Sequence, residues 1–500
     1  MRYLFRLLLS GLGLSQSPPA QTQAESPVGT MSDCVSATGK GRVAETEPAV
    51  VLRFQWDFAD RRIPLRSGMV EGPEMAAMPD EVLHHSPTVL ELGATYFTWS
   101  INQRIECFLP ADRRVYSRRD GDEDWEAYSL LALISFRVNE LQNRQGLGEL
   151  FGKLNLLKLP SQDGASLPGQ EEFAAETSLG IQIPSNEGGA VPPTEVETVV
   201  QDDTIEFRHL GKVWVEMEPS DHEIPARCQH SWRLFLTHCC HLHPAIRERI
   251  LLQPCFPRRI TYRVQNAPRE TETVLRLEEV SEQEPRRELP TTYRFGGFAS
   301  TADALARCLE SLKTRKLSTP SEAYQRAEGL VRYFSQEGRA VDGLLSAFEF
   351  EWHTGASDEQ KQRLMSIVGS VINEDFDATR ILKSCGANTP DACRAAVAYF
   401  DSLDKSLLRK GYLLDVFAAN NLENAGETQE AEQRYLKVLS VNPELAGVWC
   451  DLGQNYHQSY RHMEAWHCFE AARRIAPRYS LLKVVDSLEA CLLRDFAKYF

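Results

Sequence analysis

Apolar positions along this chain keep two different periods. From residue 51 to about 282 they alternate in short runs, and beyond 300 they recur at helical spacing. Val51–Trp56 alternates as a strand does. Val89–Leu92 and Thr95–Ile101 are β-branched and aromatic, and Arg104–Leu109 and Arg114–Ser117 follow around the turn-like Pro110–Asp112. That order predicts an antiparallel meander. Trp125–Arg144 predicts an amphipathic helix with a stripe of Leu130, Leu131, Leu133, Ile134, Val138 and Leu141. A second helical piece covers 147–157. Thr204–Phe207 and Lys212–Met217 flank His209-Leu-Gly211 as a hairpin. Gln229–Leu242 and Ala245–Leu252 read as helices, and Arg259–Val264 and Glu272–Val280 as strands. The fold class is therefore α+β: a mixed strand and helix domain over 51–282, then an all-α domain over 319–500. Two separate small domains within 51–282 are the alternative.

Between these runs the pattern lapses. Residues 25–50 are rich in Ser, Thr, Gly and Glu and read as disordered. Residues 57–88 hold Pro64, Pro73, Pro79 and Pro87 and read as an irregular loop. The ends of 160–195 are Pro-, Gly- and Ser-rich, which predicts a flexible linker. Residues 283–318 read as a polar connector.

The most informative pattern lies near the C-terminus. Residues 446–457 and 461–475 each carry an apolar helical stripe. Gly453 and Ala465 are small where two antiparallel helices must approach closely, Tyr456 and Phe469 fill the seam, and Pro477 stops the second helix. The run Trp449, Leu452, Gly453, Tyr456, Ala465, Phe469, Ala472 and Pro477 resembles a tetratricopeptide repeat. Thirty-four residues upstream Ala431, Tyr435 and Pro443 repeat the second-helix punctuation, while Asp415, Ala418, Ala419 and Leu422 replace the first-helix signature. The resemblance covers about 410–477. Such repeats bury their faces only by stacking, so degenerate units are expected before 410.

The resemblance implies a groove lined by the first helix of each repeat. By position the last repeat presents Cys450, Asp451, Gln454, His457 and Gln458, and the preceding one Val416, Phe417, Asn420, Glu423 and Asn424. Family members that clamp an acidic C-terminus use Lys, Arg and Asn there, and only Asn420 resembles that set. The expected groove is acidic and polar, with a protein or peptide as its partner. Cys385 and Cys393, with seven residues between them, resemble a pair in secreted cysteine-rich repeats of this type, which implies a disulfide between consecutive helices. Residues 480–500 predict a last helix whose stripe of Leu481, Leu482, Val485, Leu488, Leu492 and Phe496 caps the stack.

Charge and composition narrow the function. The net charge is −15, which lacks the basic footprint of a general nucleic-acid binder. No apolar run is long enough to span a membrane. Met1–Arg6 is positive, Leu7–Leu14 is apolar, and Thr22-Gln-Ala24 offers a cleavage site, so residues 1–24 fit a secretory signal. Translation from Met31 is the alternative. In the first case the chain belongs in the periplasm or outside the cell, and otherwise in the cytoplasm.

Catalytic signals are weak. His238-Cys239-Cys240-His241-Leu242-His243 has metal-type residues, and on a helix His238 and His241, or Cys239 and His243, share a face. No second pair is spaced to complete a site, and a helix with buried Cys explains the cluster equally. His84 and His85 with Asp57 or Asp60 offer a base and its orienter, yet nothing marks a nucleophile. Asp120–Asp124 lacks a calcium loop's closing Glu and reads as a charged turn. Gly39-Lys40-Gly41-Arg42 lacks the strand and Ser/Thr of a phosphate loop. No cofactor or metal is expected. The leading expectation is an interaction scaffold in a bacterial envelope. The alternative is a ligand carrier or hydrolase in the α+β domain, for which Phe97, Trp99, Tyr116 and Phe207 would line a pocket.

Overall fold

The computed structural model describes residues 47–62, 81–153, 170–182, 194–266, 269–284, 294–295, 302–354, 357–372, 374–385 and 387–500. The expected signal segment 1–24, nearly all of the expected disordered stretch 25–50 and the Gly39–Arg42 run lie outside them. The chain forms two units: Val43–Gly296 together with Leu488–Phe500, and Gly297–Ser487.

The first unit is built on one sheet of twelve strands in the order β12-β6-β5-β4-β3-β2-β1-β11-β10-β9-β8-β7. The strands are β1 Ala49–Arg62, β2 Glu81–Leu92, β3 Phe97–Ile101, β4 Arg104–Leu109, β5 Arg114–Arg119, β6 Glu126–Ser129, β7 Glu197–Gln201, β8 Thr204–His209, β9 Lys212–Glu223, β10 Cys255–Asn266, β11 Arg269–Gln283 and β12 Arg294–Phe295. Every neighbouring pair is antiparallel except the short β12–β6. Two meanders, β1–β6 and β7–β11, thus meet where β1 pairs with β11 from Ala49↔Gln283 to Arg62↔Arg269.

Alternation sends Val50, Leu52, Phe54 and Trp56 of β1 into the core and Arg53, Gln55 and Asp57 outward. Four helices supply the rest of that core: α1 Leu130–Lys153, α2 Gln170–Leu179, α3 Gln229–His238 and α4 Pro244–Ile250. Leu130, Phe173, Trp232, Phe235 and Ile246 pack with the inward strand residues. The other face of β3–β6 has a smaller cluster of Tyr96, Cys107, Leu109, Tyr116 and Ala127.

Several expectations change here. The stretch 57–88 is not one loop, because β1 runs to Arg62 and β2 starts at Glu81. Pro87 is tolerated inside β2 because β3 pairs only with Thr88–Leu92, leaving Pro87 without a neighbour on that side. The helix expected from Trp125 begins at Leu130, since Glu126–Ser129 pairs with β5. The linker 160–195 carries α2, whose Phe173 is only 2% exposed. Pro and Gly at the ends of that segment mask one apolar anchor in its middle. Phe97, Trp99 and Phe207 line no common pocket with Tyr116: the three sit in the large core and Tyr116 on the opposite face.

The second unit is all-helical: α5 Ala302–Thr314, α6 Pro320–Gln336, α7 Ala340–Thr354, α8 Asp358–Ile372, α9 Phe376–Ser384, α10 Pro390–Ser402, α11 Leu414–Asn424, α12 Thr428–Val441, α13 Ala446–Gln458 and α14 His462–Ile475. The connector 283–318 therefore includes a helix, α5, with Leu305, Cys308, Leu309 and Leu312 buried. Pro320 opens α6 inside a capping box of Thr319 and Glu322. In the α13–α14 pair a Cβ on Gly453 would meet Phe469 Cε1 at 2.5 Å and Ala465 O at 3.2 Å, so the small residues set the closeness of the helices.

Residues 480–500 form α15, Leu482–Asp495, and a 3-10 turn at Ala497–Tyr499. Leu482 and Val485 are buried, and Asp486 pairs with Arg473 of α14 at 2.6 Å. The purely capping role stops there, because Leu488–Phe500 belongs to the sheet unit. Phe496 and Tyr499 are buried, Arg247 lies over the Tyr499 ring at 5.0 Å, and Lys498 reaches Glu248 at 3.8 Å. Among the described residues, no helix is long and apolar enough to cross a membrane.

Docking of α2 makes a testable demand. Phe173→Ala should lower the stability of the sheet unit by about 3–5 kcal/mol in chemical denaturation, the usual cost of deleting a buried aromatic. A change below about 0.5 kcal/mol would show that α2 is not part of the core.

Candidate functional site

The sheet unit turns its candidate chemistry into architecture. His85 Nδ1 lies 2.8 Å from Asp57 Oδ1, so the expected His–Asp pair exists, across β2 and β1 rather than in a loop. Asp57 also accepts from Gln55 Nε2 at 3.1 Å and pairs with Arg276. Burial pushes its carboxyl up, but these three partners outweigh it and hold it below its ordinary value. Ser86, the adjacent hydroxyl, faces the opposite side of the sheet and donates to Asn102 Oδ1 at 2.5 Å. His84 stacks on Phe58 at 4.3 Å, and Asp60 accepts from Thr271 Oγ1 at 3.2 Å. Asp57 and His85 lie on the outward face of the sheet and His84, Ser86 and Asp60 on the other, so the set is not a nucleophile with its base.

The His238–His243 cluster separates because α3 ends at His238. His238 Nε2 meets Tyr499 O at 2.9 Å and His241 Nδ1 meets Ser178 O at 3.1 Å. His243 caps α4, its Nδ1 accepting from Ala245 N at 3.1 Å. The proton must then sit on Nε2, which donates to Glu176 Oε2 at 2.7 Å. Burial lowers His243 to about 3 and raises Glu176 to about 7, so the imidazole is neutral. Phe173 stacks on His243 at 3.8 Å and on His209 at 4.1 Å. Among the described residues, no group of three His, Cys, Asp or Glu is placed to hold a metal ion.

The helical unit sorts the expected groove residues differently. Val416 and Phe417 are core: both are buried, and Phe417 packs on Phe348 at 5.0 Å and Trp352 at 5.1 Å. Helix α11 is covered on nearly every side, which leaves no outward face for them. Asn420 and Glu423 are half-buried, Asp451 is buried, His457 is half-buried, and Gln454 and Gln458 are exposed. His457 packs on His462 at 4.7 Å and Trp466 at 5.9 Å.

The residue that joins them is Tyr435 of α12, which the sequence pattern presents as a seam filler. Its hydroxyl is 3.0 Å from Asn420 Oδ1 and 3.0 Å from Glu423 Oε2. Asp451 Oδ2 is buried with no hydrogen-bond partner. Burial, reinforced by the Asp451 charge, pushes Glu423 up to about 7. Burial likewise pushes Asp451 up to about 6 against a hydrogen bond from Asn420. Two carboxylates, a phenol and an amide thus form a protein-lined acidic site on three consecutive helices.

Cys385 ends α9 and Cys393 lies in the first turn of α10, as the spacing suggests. The two sulfurs are separate thiols here. Cys385 Sγ donates to Ile381 O at 3.1 Å, back along its own helix, while Cys393 is buried on the apolar face of α10.

A cleft of about 290 Å³ opens elsewhere in the unit, where Arg315, Arg326, Lys410 and His353 face Glu349 and Glu444. Its acids are saturated. Glu349 takes Lys410 at 2.8 Å, Tyr412 at 2.5 Å and Asn442 at 3.1 Å, and Glu444 takes Arg315 at 3.1 Å and His353 at 3.0 Å.

No family model matches the chain, and neither a curated protein nor a solved structure does.

The raised acids set a pH dependence. A carboxyl with a raised folded-state value gives its full stability below the ordinary carboxylate range and loses it as pH climbs through the folded value. The window therefore runs from about pH 4 to about pH 7 for Glu423 and Asp451. Glu423→Gln with Asp451→Asn should match the wild-type melting temperature near the bottom of that window. Above it the variant should melt about 2–4 °C or more higher. A constant difference across the window would mean that the two acids titrate normally.

Proposed function

We propose that the chain is a protein-interaction scaffold whose tetratricopeptide-like helical unit receives a peptide segment on the face holding Asn420, Glu423, Asp451, Gln454 and Gln458. The carrying observation is the Tyr435 network, which ties Asn420 and Glu423 of α11 to α12, with Asp451 of α13 close enough to raise the Glu423 carboxyl. Helix pairs begin well before residue 410, as stacked repeats require. The sheet unit favours a structural role. Its interior is filled by close ring pairs such as Phe97–Phe108 at 4.2 Å and Trp56–Trp99 at 4.7 Å, and the four aromatics expected to line a carrier pocket do not converge. In this reading the scaffold works in a bacterial envelope, which rests on the residue 1–24 pattern alone.

A random linear-peptide library selected on the full chain tests the reading. Selected peptides should bind wild type and lose at least about 10-fold in affinity for Gln454→Trp, which obstructs the face without touching the core. Failure to enrich any peptide, or enrichment of peptides indifferent to Gln454→Trp and Asn420→Trp, rejects it.

A further inference from the structure

The strand order of the sheet ends at β7, so among the described residues one side of Glu197–Gln201 has no strand paired to it. The register fixes which backbone groups that side offers. Asp202 and Asp203 join β7 to β8, and Gln201 pairs with Thr204 across them. The carbonyl that opens such a turn accepts from the N–H three residues on, so Gln201 faces β8. Antiparallel pairs alternate, and Val199 and Glu197 therefore face β8 as well, while Thr198 and Val200 aim their N–H and C=O groups away from the sheet. Glu195 O meets His209 Nδ1 at 2.9 Å, as this alternation requires. Side chains keep the same parity. Val200 pairs with Ile205 and Thr198 with Phe207, so both stand on the face that carries the core. Ile205 is 9% exposed and Val200 is 67% exposed, so that apolar face runs off the edge of the sheet.

Natural proteins often blunt such an edge with Lys, Pro or a bulge. β7 has neither Lys nor Pro, and its register with β8 runs unbroken through every pair. Exposed acids bracket it instead: Glu195 and Glu197 at one end, Asp202 and Asp203 at the other. Arg208, the base opposite Glu197, is committed to Glu206 of its own strand at 2.8 Å. We infer that β7 accepts an extended segment of a partner protein as a further antiparallel strand, and that this segment carries Lys or Arg on both sides of an apolar pair. Thr198 and Val200 supply the main-chain hydrogen bonds, the apolar pair covers Val200, and the bases meet the acids at the two ends. A second copy of this chain fits less well. Pairing all of β7 with itself about Val199 sets Glu195 against Asp203 twice, and like charges directly opposed are destabilising. This surface belongs to the sheet unit and does not rest on the groove reading.

The probe is fluorescein-labelled Lys-Lys-Thr-Val-Thr-Val-Lys amide, titrated into the full chain at about 150 mM salt, which screens long-range attraction by the acidic surface. In antiparallel register its two Val lie opposite Val200 and Thr198, and its Lys opposite Asp203, Asp202 and Glu197. It should bind at least about 10-fold more tightly than Glu-Glu-Thr-Val-Thr-Val-Glu amide, and N-methylation of both Val amides should cost at least about 10-fold. Val200→Pro removes an outward N–H that β8 does not use, so the variant should melt as wild type does and bind the probe at least about 10-fold more weakly. Glu197→Lys with Asp203→Lys, which leaves the edge backbone intact, should reverse the preference to the Glu peptide. Gln454→Trp on the helical unit should change probe affinity by less than about 2-fold. No binding, or binding that ignores both Val200→Pro and N-methylation, overturns the inference, and so does a loss with Gln454→Trp. A dimer of the unliganded chain in light scattering that Val200→Pro dissolves gives the edge to a second copy and overturns it too.

Discussion

A buried carboxylate must be neutralised, and much of this molecule is arranged around that requirement. Three solutions occur. Glu176 takes the Nε2–H of a histidine whose other nitrogen is already committed to capping α4. Asp415 takes three cations from residues 405, 434 and 437, which ties the entry to α11 to the helix after it. Glu444 takes Arg315 and His353, fastening the end of α12 to the loop after α5 and to α7. Each contact is also a joint between separate elements, an ion pair for Asp415 and Glu444 and a hydrogen bond from a neutral imidazole for Glu176. Such pairs add little net stability over an apolar contact, but removing one partner is costly, so they fix which helix meets which.

The α+β division was legible because strand and helix periods separate cleanly along the chain. The last two helix pairs were legible because Gly453, Ala465 and Pro477 are steric punctuation, readable without tertiary context. What stayed hidden depends on partners far away in sequence. Phe173 is a lone anchor in a polar segment, and only its stacking on His209 and His243 shows that α2 is docked. Pro87 marked a loop by composition, yet the limited reach of β3 makes a strand possible there. The placement of Val416 and Phe417 shows the same limit. Periodicity put Val416 and Phe417 on the first helix but could not show that α7 packs on that side. Tyr435 looked like seam packing because its ring is buried; only its hydroxyl reaches the polar face.

The sheet shows how one seam can organise two meanders. Apart from the two-residue β12–β6 contact, each of β2–β6 and β7–β10 pairs with strands next to it in sequence, and such local hairpins need little loop entropy. The β1–β11 ladder is different: it joins residues 49–62 to residues 269–283 and makes a single inner face for all four helices.

That seam has a consequence for the order of events during synthesis. β1 is among the first described segments to be made, and the partner for its second edge is more than two hundred residues behind. Until β11 leaves the ribosome, the edge of Val50, Leu52, Phe54 and Trp56 presents unpaired backbone groups beside a row of large apolar side chains. An open edge of that kind recruits other strands. At ordinary translation speeds the wait lasts about 10 seconds or more. The first meander is thus a nascent-chain liability that the finished protein no longer displays, and holdase binding or slowed aggregation should track the arrival of residues 269–283 rather than the completion of β1–β6.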